Sequence, residues 1–546
     1  MSRIKKIIES VYFPFALAFL LVFPSIIWIF LDNHVWPWDQ AWYGQVSVDL
    51  YYQATHSFSG WWRLMITAFG MKAPAIAWFG QLFIPLETIF GSIDRSLLMF
   101  IVIVQLLSLA FLYKLILLLT RGDKVIALLG CIGMASAPLF TGMGNQYFVE
   151  SLQLFAVIAF IYIFVVMKMW NIYDVVLALL FITSFAMAVK ITSPLYIFLL
   201  SLVMLPRLRE LLPLSMITTK EYFKNKMNII LYVLVFILLF FTVSWYVANW
   251  MSIYSFMQLA SSGSAAELYG SRAPFFDKMM LWLSFSQKSF FFPVVGYFVG
   301  LLAGLYCIKI FFLGKKLQIK ESLFGLPFIS VASLVMILIF FSFQINEETR
   351  YLLPALPYFI ILLCWFIYKI NSNIVKYATL SVFFMQFIVI QGMSLGLIEK
   401  GANQISVWVN TPYTNSDQKN NIRSIIQNTC TLESANKTSI LGVEFPYMNA
   451  NSLSYYVSQE KIRTDFTCYY TSLGYAESDI DKAMKRLYSI NPPYFIGVTT
   501  DKLPTKDAFN AVSFSAFEAI EEDKNFSELN IQNIGSMRIF KNSIIK

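Results

Sequence analysis

The sequence predicts a mainly α-helical, polytopic membrane bundle that ends in a small α/β domain. Of the 546 residues, 58% are hydrophobic and only 13% are charged, and the mean hydropathy is +0.63. A soluble domain is typically about 45–50% apolar and about 25% charged. Apolar runs of membrane-spanning length stop after residue 398, where Asn, Ser, Thr and charged residues become frequent. The chain is therefore expected to fold as a membrane part followed by a soluble part.

A transmembrane helix needs about 20 mostly apolar residues, and we interpret eleven stretches as spans. They are 11–31, 93–120, 125–143, 148–169, 171–190, 192–206, 228–250, 289–313, 323–343, 351–370 and 377–397. The short stretch 192–206 could instead be tilted or partly re-entrant. The first stretch is longer than the core of a signal peptide, and no small-x-small pattern follows it, so we expect it to stay in the protein as a helix.

The basic residues follow the positive-inside rule if the N-terminus is cytoplasmic. Of the 26 Lys and Arg in residues 1–398, 18 then lie inside and eight outside, whereas the acidic residues divide as six inside and ten outside. Eleven spans place the tail outside, and the absence of retention signals favours a bacterial inner membrane. The net charge of +9 is thus mostly a topology signal. The tail carries −1, so we expect membrane lipids and no nucleic acid as partners.

The first two long outer loops differ in composition, so the sequence predicts a different structure for each. In the first, Trp42–Trp62 is aromatic and amphipathic, and Ala73–Phe90 is apolar with helical periodicity. Both segments are predicted to be helices that lie in the outer membrane interface. The second loop, 251–288, carries charges of both signs, and we expect it to order over a bound substrate as a lid.

The predicted domains are a transmembrane catalytic domain, 1–398, and a soluble extracytoplasmic α/β domain, 399–546. In the second domain, helical spacing predicts a helix over Asp479–Ile490. Four short segments are predicted to be strands: Ser439–Phe445, Tyr494–Thr499, Ala511–Phe517 and Met537–Lys541. Cys430 and Cys468 are the only two cysteines of this domain, and an oxidising compartment would permit them to pair or leave them free.

The sequence contains no P-loop, GxSxG, HExxH or CxxC motif, and its two histidines exclude a multi-histidine metal site. Ionisable residues at the outer surface are therefore the candidates for chemistry. Asp39 lies among Trp and Tyr just beyond the first span, where its surroundings suit a general base. The alternative is that Asp39 is the N-cap of the following helix.

Three further positions combine an acid with cations on the outer side. Glu150 precedes the fourth span and suits catalysis, or is a first-turn acid favoured by the helix dipole. Lys72 suits a phosphate, or is a snorkelling cation. Arg350 and Tyr351 open a late span and could hold a phosphate, because Arg makes forked bonds to phosphate oxygens. The alternative for this pair is an interfacial anchor.

Taken together, these motifs resemble the GT-C glycosyltransferases, specifically the branch with the protein O-mannosyltransferases and the lipid A aminoarabinose transferases. Asp39 matches the Asp of the first outer loop, and Lys72-Ala-Pro74 matches a Lys-Pro-Pro-like turn in part. Glu150 matches an acid before the fourth helix by position, and residues 350–357 (RYLLPALP) match a stretch that opens a late helix. The resemblance covers about residues 1–397. Gln40 replaces the usual Glu after the Asp, which weakens the case for a metal shared by paired acids.

The resemblance implies an integral membrane glycosyltransferase whose donor is a sugar on a polyprenyl phosphate or pyrophosphate, with the monophosphate favoured. Asp39 would deprotonate the acceptor, which is a glycan, lipid or protein, and in-line attack would invert the anomeric centre. The resemblance further implies that Lys72 and Arg350, with Tyr351 and Arg63 or Lys190, stabilise the departing phosphate. Glu150 would orient the acceptor or the catalytic loop. The resemblance implies no particular cofactor, and assistance by a divalent metal stays open.

Other functions stay open at this stage. A polysaccharide ligase or polymerase with a pyrophosphate-linked donor would also need outer cations. A transporter or lipid flippase is less consistent with the sequence, because nearly every charge lies near the end of a predicted span and no repeat is visible. Neither the sugar nor the acceptor follows from the sequence.

Overall fold

The structure is a computed structural model of the chain. It describes residues 12–170, 172–211, 226–262, 264–293, 295–301, 304, 325–401, 405–464, 466–499, 508–532 and 534–544. Most of these residues are helical. The α-helices of the membrane part and its outer loops are α1 (Phe13–Leu31), α2 (Trp38–His56), α3 (Phe58–Thr67), α4 (Ala75–Gly80), α5 (Glu87–Phe90), α6 (Ile93–Leu119), α7 (Lys124–Ala135), α8 (Pro138–Gly144), α9 (Glu150–Val166), α10 (Ile172–Val189), α11 (Ser193–Leu211), α12 (Lys226–Ser262), α13 (Ser264–Glu267), α14 (Phe275–Phe290), α15 (Leu326–Phe343), α16 (Leu356–Ile370) and α17 (Asn373–Ser394).

Within the described residues, seven helices are long and apolar enough to cross a membrane, or eight if the bent pair α7–α8 is one span. Seven of the predicted spans coincide with these seven helices, and the predicted span 125–143 coincides with the bent pair. The predicted span 148–169 corresponds to α9, and the predicted span 192–206 corresponds to the apolar part of α11, Ser193–Pro206; both of these apolar segments are shorter than 18 residues. The predicted span 289–313 runs beyond the described residues. A mainly helical, multi-span membrane fold is confirmed, and the number eleven stays a prediction.

The first outer loop is helical, as predicted. It contains α2, α3, α4 and α5, and a 3-10 helix, Gln81–Leu86, connects the last two. Their position in the membrane interface stays a prediction. The chain divides into two compact units: the first is Met1–Phe30, Arg63–Ile76 and Leu98–Thr411, and the second is Leu31–Trp62, Ala77–Leu97 and Pro412–Lys546.

In the first unit, a sharp bend of 65° separates α7 from α8. Pro138 opens α8, and a proline cannot continue the preceding helix because it lacks an N–H and clashes with the turn before it. The bend frees backbone carbonyls, which are costly when no water can reach them. The Nε2 of Gln386 donates to the Ser136 carbonyl at 2.9 Å, and the Nε2 of Gln105 donates to the Phe140 carbonyl at 2.7 Å. These two side chains therefore stabilise the bend that leads into α9.

In the second unit, the C-terminal residues form a five-stranded sheet with helices, as the α/β prediction requires. Its elements are α18 (Asp417–Thr429), β1 (Thr438–Leu441), α19 (Ala450–Thr464), β2 (Tyr469–Ser472), α20 (Ile480–Ile490), β3 (Tyr494–Val498), α21 (Ser513–Glu522), β4 (Phe526–Leu529) and β5 (Met537–Asn542). The strand order is β2-β1-β3-β5-β4; β1 runs parallel to β2 and β3, and β5 runs antiparallel to β3 and β4.

Local sequence explains most of these elements. All five residues of β3 are buried, as expected for a central strand that is covered on both faces. The helix predicted over Asp479–Ile490 is confirmed as α20, and the Asp479 carboxylate accepts from the amides of Asp481 and Lys482 as the N-cap. The backbone donors lower the pKa of Asp479. Three predicted strands are confirmed as β1, β3 and β5.

The fourth predicted strand, Ala511–Phe517, is wrong because this segment lies mostly in helix α21. Its alternating apolar residues are also compatible with a helix face: Ala516, Phe517 and Ile520 are buried against the sheet, whereas Phe514 is 43% exposed. The strands β2 and β4 were not predicted. Both are four-residue edge strands, too short for a clear period-two pattern.

Cys430 and Cys468 form a disulfide, with their Cα atoms 5.6 Å apart and 38 positions apart in the sequence. The bond connects the end of α18 to the residue before β2. Of the remaining cysteines, Cys131 and Cys364 are buried thiols, and Cys307 lies outside the described residues.

We predict that the double variant Cys430→Ser/Cys468→Ser unfolds more easily than the native chain. On the chain-entropy estimate, closing a loop of about 40 residues contributes about 4 kcal/mol to the free energy of unfolding. Thermal unfolding of the purified protein in detergent, with and without reductant, measures this effect. The native chain should lose stability on reduction, and the double variant should not respond. Equal sensitivity of both proteins to reductant would contradict the prediction.

Candidate active site

Four of the predicted site residues meet in the first unit, although they come from three distant segments. Glu150 is the first residue of α9, and Lys190 directly follows the last residue of α10. Arg350 and Tyr351 lie in a 3-10 helix, Thr349–Ala355, that precedes α16. Prolines at 354 and 357 favour this tight turn, because each lacks the N–H that a regular helix would use.

These residues form a buried group of charges. The Glu150 Oε1 accepts from the Lys190 Nζ at 2.8 Å and lies 3.5 Å from the Arg350 Nε. The same Arg350 Nε lies 3.3 Å from the Glu348 Oε2. Glu150 is 1% exposed and the Arg350 side chain is 12% exposed. Two cations and two carboxylates give a formal charge of zero, which allows the group to be buried.

A role for Glu150 as a simple first-turn acid does not explain this arrangement. A dipole interaction at a helix N-terminus needs no partner side chain, yet Glu150 is paired with cations from two other segments. Its second oxygen, Oε2, is buried and has no hydrogen-bond partner among the described residues. A buried acceptor without a donor is costly, so this atom is suited to receive a donor from a bound molecule.

Aromatic rings enclose the two cations. The Lys190 Nζ lies 4.0 Å from the Tyr351 ring centroid, and the Arg350 guanidinium lies 4.6 Å from the Phe148 centroid and 5.5 Å from the Trp408 centroid. Cations over such rings gain about 0.5–2 kcal/mol, most where water is excluded. Tyr351 is fixed in turn, because its carbonyl accepts from the Tyr196 Oη at 2.6 Å.

Trp408 is a site residue that the sequence analysis missed. Its Nε1 donates to the Thr349 Oγ1 at 3.0 Å, and its carbonyl accepts from the Gln146 Nε2 at 3.0 Å. A Cβ built at Gly142 would lie 2.7 Å from the Trp408 carbonyl oxygen, so only glycine permits this approach. Trp408 lies in a polar stretch after the last helix of the unit, where a lone aromatic residue gives no sequence signal.

Next to this group, Lys278 of α14 is 3% exposed. Its Nζ donates to the carbonyls of Gln344 and Ile345 and lies 3.4 Å from the Glu347 carboxylate. The Glu347 Oε1 also accepts from the Ser271 hydroxyl at 2.8 Å. The predicted lid, 251–288, is thus bonded to the segment that leads into Arg350. Its movement over a substrate stays a prediction.

Asp39 belongs to the second unit. It is the second residue of α2 and lies in the first turn, half-buried. The N-cap of α2 is Pro37, so the alternative that Asp39 caps this helix is wrong. A second acid of α2, Asp49, accepts from the Ser458 hydroxyl at 3.2 Å and lies 3.8 Å from the Lys461 Nζ. Burial raises the pKa of Asp49, although Lys461 opposes the shift.

The remaining predicted cations belong to the first unit. Lys72 is half-buried in the bend between α3 and α4, and Arg63 is exposed on α3. No described contact links Arg63 to Glu150, Lys190 or Arg350. Among the described residues, no group of three or more His, Cys, Asp or Glu side chains could hold a metal ion.

Comparison with known proteins identifies the fold. No family model matches the chain, and no curated protein matches it in sequence. The chain is similar to the crystal structure of ArnT from Cupriavidus metallidurans in the apo state, with a TM-score of 0.52 and 11% identity over 98% of this chain and 99% of that chain. It is also similar to ArnT of that organism bound to undecaprenyl phosphate, with a TM-score of 0.54 and 12% identity over 95% and 97%. The fold is therefore ArnT-like over nearly the whole chain, which confirms the GT-C resemblance at the level of the fold.

We predict that Lys190→Met lowers the free energy of unfolding by about 3–5 kcal/mol, because it leaves Glu150 buried and without its closest cation. Adding Glu150→Gln should restore part of the loss, since the unpaired charge is then removed. Arg463→Gln is the control; it removes an exposed pair with Glu87, at 2.7 Å, and should cost less than about 1 kcal/mol. Chemical denaturation in detergent measures all three variants. A loss for Lys190→Met no larger than that of the control would refute the buried pair.

Proposed function

We propose that the protein is a membrane glycosyltransferase that takes a sugar from a polyprenyl-phosphate donor and transfers it to an extracytoplasmic glycan, lipid or protein. One observation carries the proposal: Glu150, Lys190, Arg350 and Tyr351, selected from the sequence as site residues, form one buried charged group. The ArnT-like fold supports it, because ArnT of similar structure has been crystallised with undecaprenyl phosphate.

The donor phosphate would bind at Lys190 and Arg350. A guanidinium offers five N–H donors in a fork that fits two phosphate oxygens. The rings of Phe148 and Trp408 hold the guanidinium plane in place. Lys72, and Arg63 on the exposed face of α3, would add positive charge as the phosphate departs.

Glu150 acts in this proposal as the residue that holds the two cations. Without it, two like charges would face each other in a buried environment. Its Oε2 remains available to accept a hydrogen bond from the donor sugar or the acceptor. This role fits the structure more directly than orientation of the catalytic loop, because the described partners of its carboxylate are the cations.

Asp39 is the proposed general base. It takes the proton of the acceptor nucleophile, which attacks the anomeric carbon from the face opposite to the phosphate. The bond from the anomeric carbon to the phosphate oxygen breaks, polyprenyl phosphate leaves, and the anomeric configuration inverts. We propose with this function that the N-terminus is cytoplasmic and that 399–546 is extracytoplasmic, because the charge bias of the membrane part favours this orientation.

We predict that Asp39→Asn lowers sugar transfer by at least about 100-fold, because an amide cannot accept the proton. Asp49→Asn, the matched change on the same helix, should retain transfer. The assay uses membranes supplied with undecaprenyl phosphate that carries labelled aminoarabinose, mannose or glucose, together with cell-envelope lipid and glycan as acceptors. Binding of undecaprenyl phosphate to each purified variant is the control for folding. Full transfer by a folded Asp39→Asn variant would exclude Asp39 as the base.

We predict that Arg350→Lys weakens the binding of undecaprenyl phosphate by about 10-fold or more, although the charge is unchanged. Lysine is a point charge and cannot make the forked contact, and a hydrogen bond to a charged group contributes about 1.5–3 kcal/mol. Arg538→Lys, on strand β5, should leave binding unchanged. Titration of the lipid into protein in nanodiscs, followed by native mass spectrometry, gives the dissociation constants of the native protein and of the two variants. Equal affinity of Arg350→Lys and native protein would contradict the phosphate assignment.

A further inference from the structure

The residue before Asp39 has an unusual backbone. Trp38 has a φ of +27°, in a range that residues with a Cβ rarely adopt. Such a conformation persists only when the surrounding structure holds it, and it is common at functional sites. It lies at the first position of α2, so it determines the direction in which the first turn, with Asp39, leaves the preceding loop.

Residues of the C-terminal domain hold this turn on several sides. The Glu444 Oε2 accepts from the Trp38 Nε1 at 3.1 Å, and the Asn451 Nδ2 donates to the Trp38 carbonyl at 3.3 Å. Two residues earlier, the Trp36 carbonyl accepts from the Ser452 Oγ at 2.6 Å. The strained residue and Trp36 are therefore bonded to residues that lie more than 400 positions later in the chain.

Ring contacts add to these bonds. The Trp36 ring stacks on the Tyr455 ring with centroids 4.9 Å apart and an interplanar angle of 6°, and the Phe509 ring lies 6.1 Å from the Trp38 ring. Trp36 and Tyr455 are buried. These contacts restrict the rotation of the loop that enters α2.

Glu444 is itself fixed. It follows β1 at the carboxyl end of the strand, and its backbone N–H donates to the Asn510 Oδ1 at 2.8 Å. Its carbonyl accepts from the Asn510 Nδ2 at 2.9 Å. Asn510, which lies just before α21, thus holds both the N–H and the carbonyl of Glu444, so the C-terminal domain fixes the residue that accepts from Trp38.

We propose that Glu444 and Asn451 are positioning residues for Asp39, and that the C-terminal domain thereby fixes the orientation of the Asp39 carboxylate. The inference rests on the proposed function, in which Asp39 is the base. Glu444 acts through its hydrogen bond to Trp38 and does not itself take part in proton transfer. Because small displacements of a catalytic group reduce rate strongly, loss of this bond should affect turnover more than donor binding.

The test compares Glu444→Ala with Glu444→Gln in the full-length protein. Alanine removes the acceptor, whereas glutamine keeps an acceptor oxygen without the charge. With the labelled undecaprenyl-phosphate sugars described above, Glu444→Ala and Asn451→Ala should lower kcat about 10-fold or more and change the KM for the donor less than about twofold. Glu444→Gln should retain most of the native kcat. The control is Glu528→Gln, which weakens an exposed pair with Arg538 on the same sheet.

Hydrogen exchange supplies a readout that needs no activity. In Glu444→Ala the amides of residues 38–44 should exchange about 10-fold faster or more, whereas those of β3 and β5 should be unchanged, as in Glu528→Gln. Unchanged exchange at 38–44 would overturn the inference whatever the assay shows. Equal loss of kcat in the glutamine and alanine variants would overturn it too, because the charge would then be required.

Failure of the inference can be distinguished from failure of the proposed function. If Asp39→Asn is inactive and Glu444→Ala has native kcat, Asp39 remains the base and the positioning role is refuted. If Asp39→Asn keeps full transfer, the base assignment is refuted, and the exchange data alone decide whether the C-terminal domain holds the turn.

Discussion

The arrangement of the first unit depends on one buried ion pair, between Glu150 and Lys190. Removing charges from water costs several kcal/mol per ion, and the cost is recovered only when the partners approach closely and with good geometry. A distance of 2.8 Å between the Glu150 Oε1 and the Lys190 Nζ meets that condition. It fixes the start of α9 against the end of α10, and Arg350 is added to the same carboxylate oxygen. This ion pair therefore fixes the position of the Thr349–Ala355 helix, because only there does Arg350 reach the Glu150 carboxylate. Trp408 is fixed with the helix, because it donates to Thr349.

The second unit follows the same principle with different residues. Asp94, at the start of α6, is 6% exposed and accepts hydrogen bonds from the Lys419 Nζ at 2.7 Å, the Tyr455 Oη at 2.7 Å and the Gln459 Nε2 at 2.8 Å. Its donors come from α18 and α19 of the C-terminal domain. A carboxylate with three close donors, one of them charged, holds the start of α6 against α18 and α19 of the C-terminal domain. The residues that carry Asp39 belong to the same compact unit.

The sequence predicts the secondary-structure elements that depend on local pattern. It does not predict the contacts between residues that are distant in the chain. Apolar runs predict the spanning helices, and an Asp followed by helical spacing predicts α20 with its cap. Their charge and their predicted outer position select Glu150, Lys190 and Arg350 as candidates. The contacts among them depend on the tertiary fold, which no local sequence pattern predicts. Trp408 gives no signal because its role depends on the close approach to Gly142. The short apolar alternation of 511–517 fits both the two-residue period of a strand and the 3.6-residue period of a helix, and packing against the sheet favours the helix.

The zero net charge of the buried group has a chemical consequence for the proposed reaction. A sugar polyprenyl phosphate is a diester with one negative charge, whereas the departing polyprenyl phosphate is a monoester that carries about 1.5 to 2 negative charges near pH 7. In the proposed reaction, Lys190 and Arg350 would therefore interact more strongly with the leaving group than with the intact donor, and such differential binding accelerates a reaction. Because Glu150 and the aromatic rings already hold both cations in place, no reorganisation is needed as the charge develops. The same preference would favour retention of the product, so release of polyprenyl phosphate would become a step that can limit turnover. Glu150 would compete with the product for both cations and Glu348 would compete for Arg350, so both carboxylates oppose this retention.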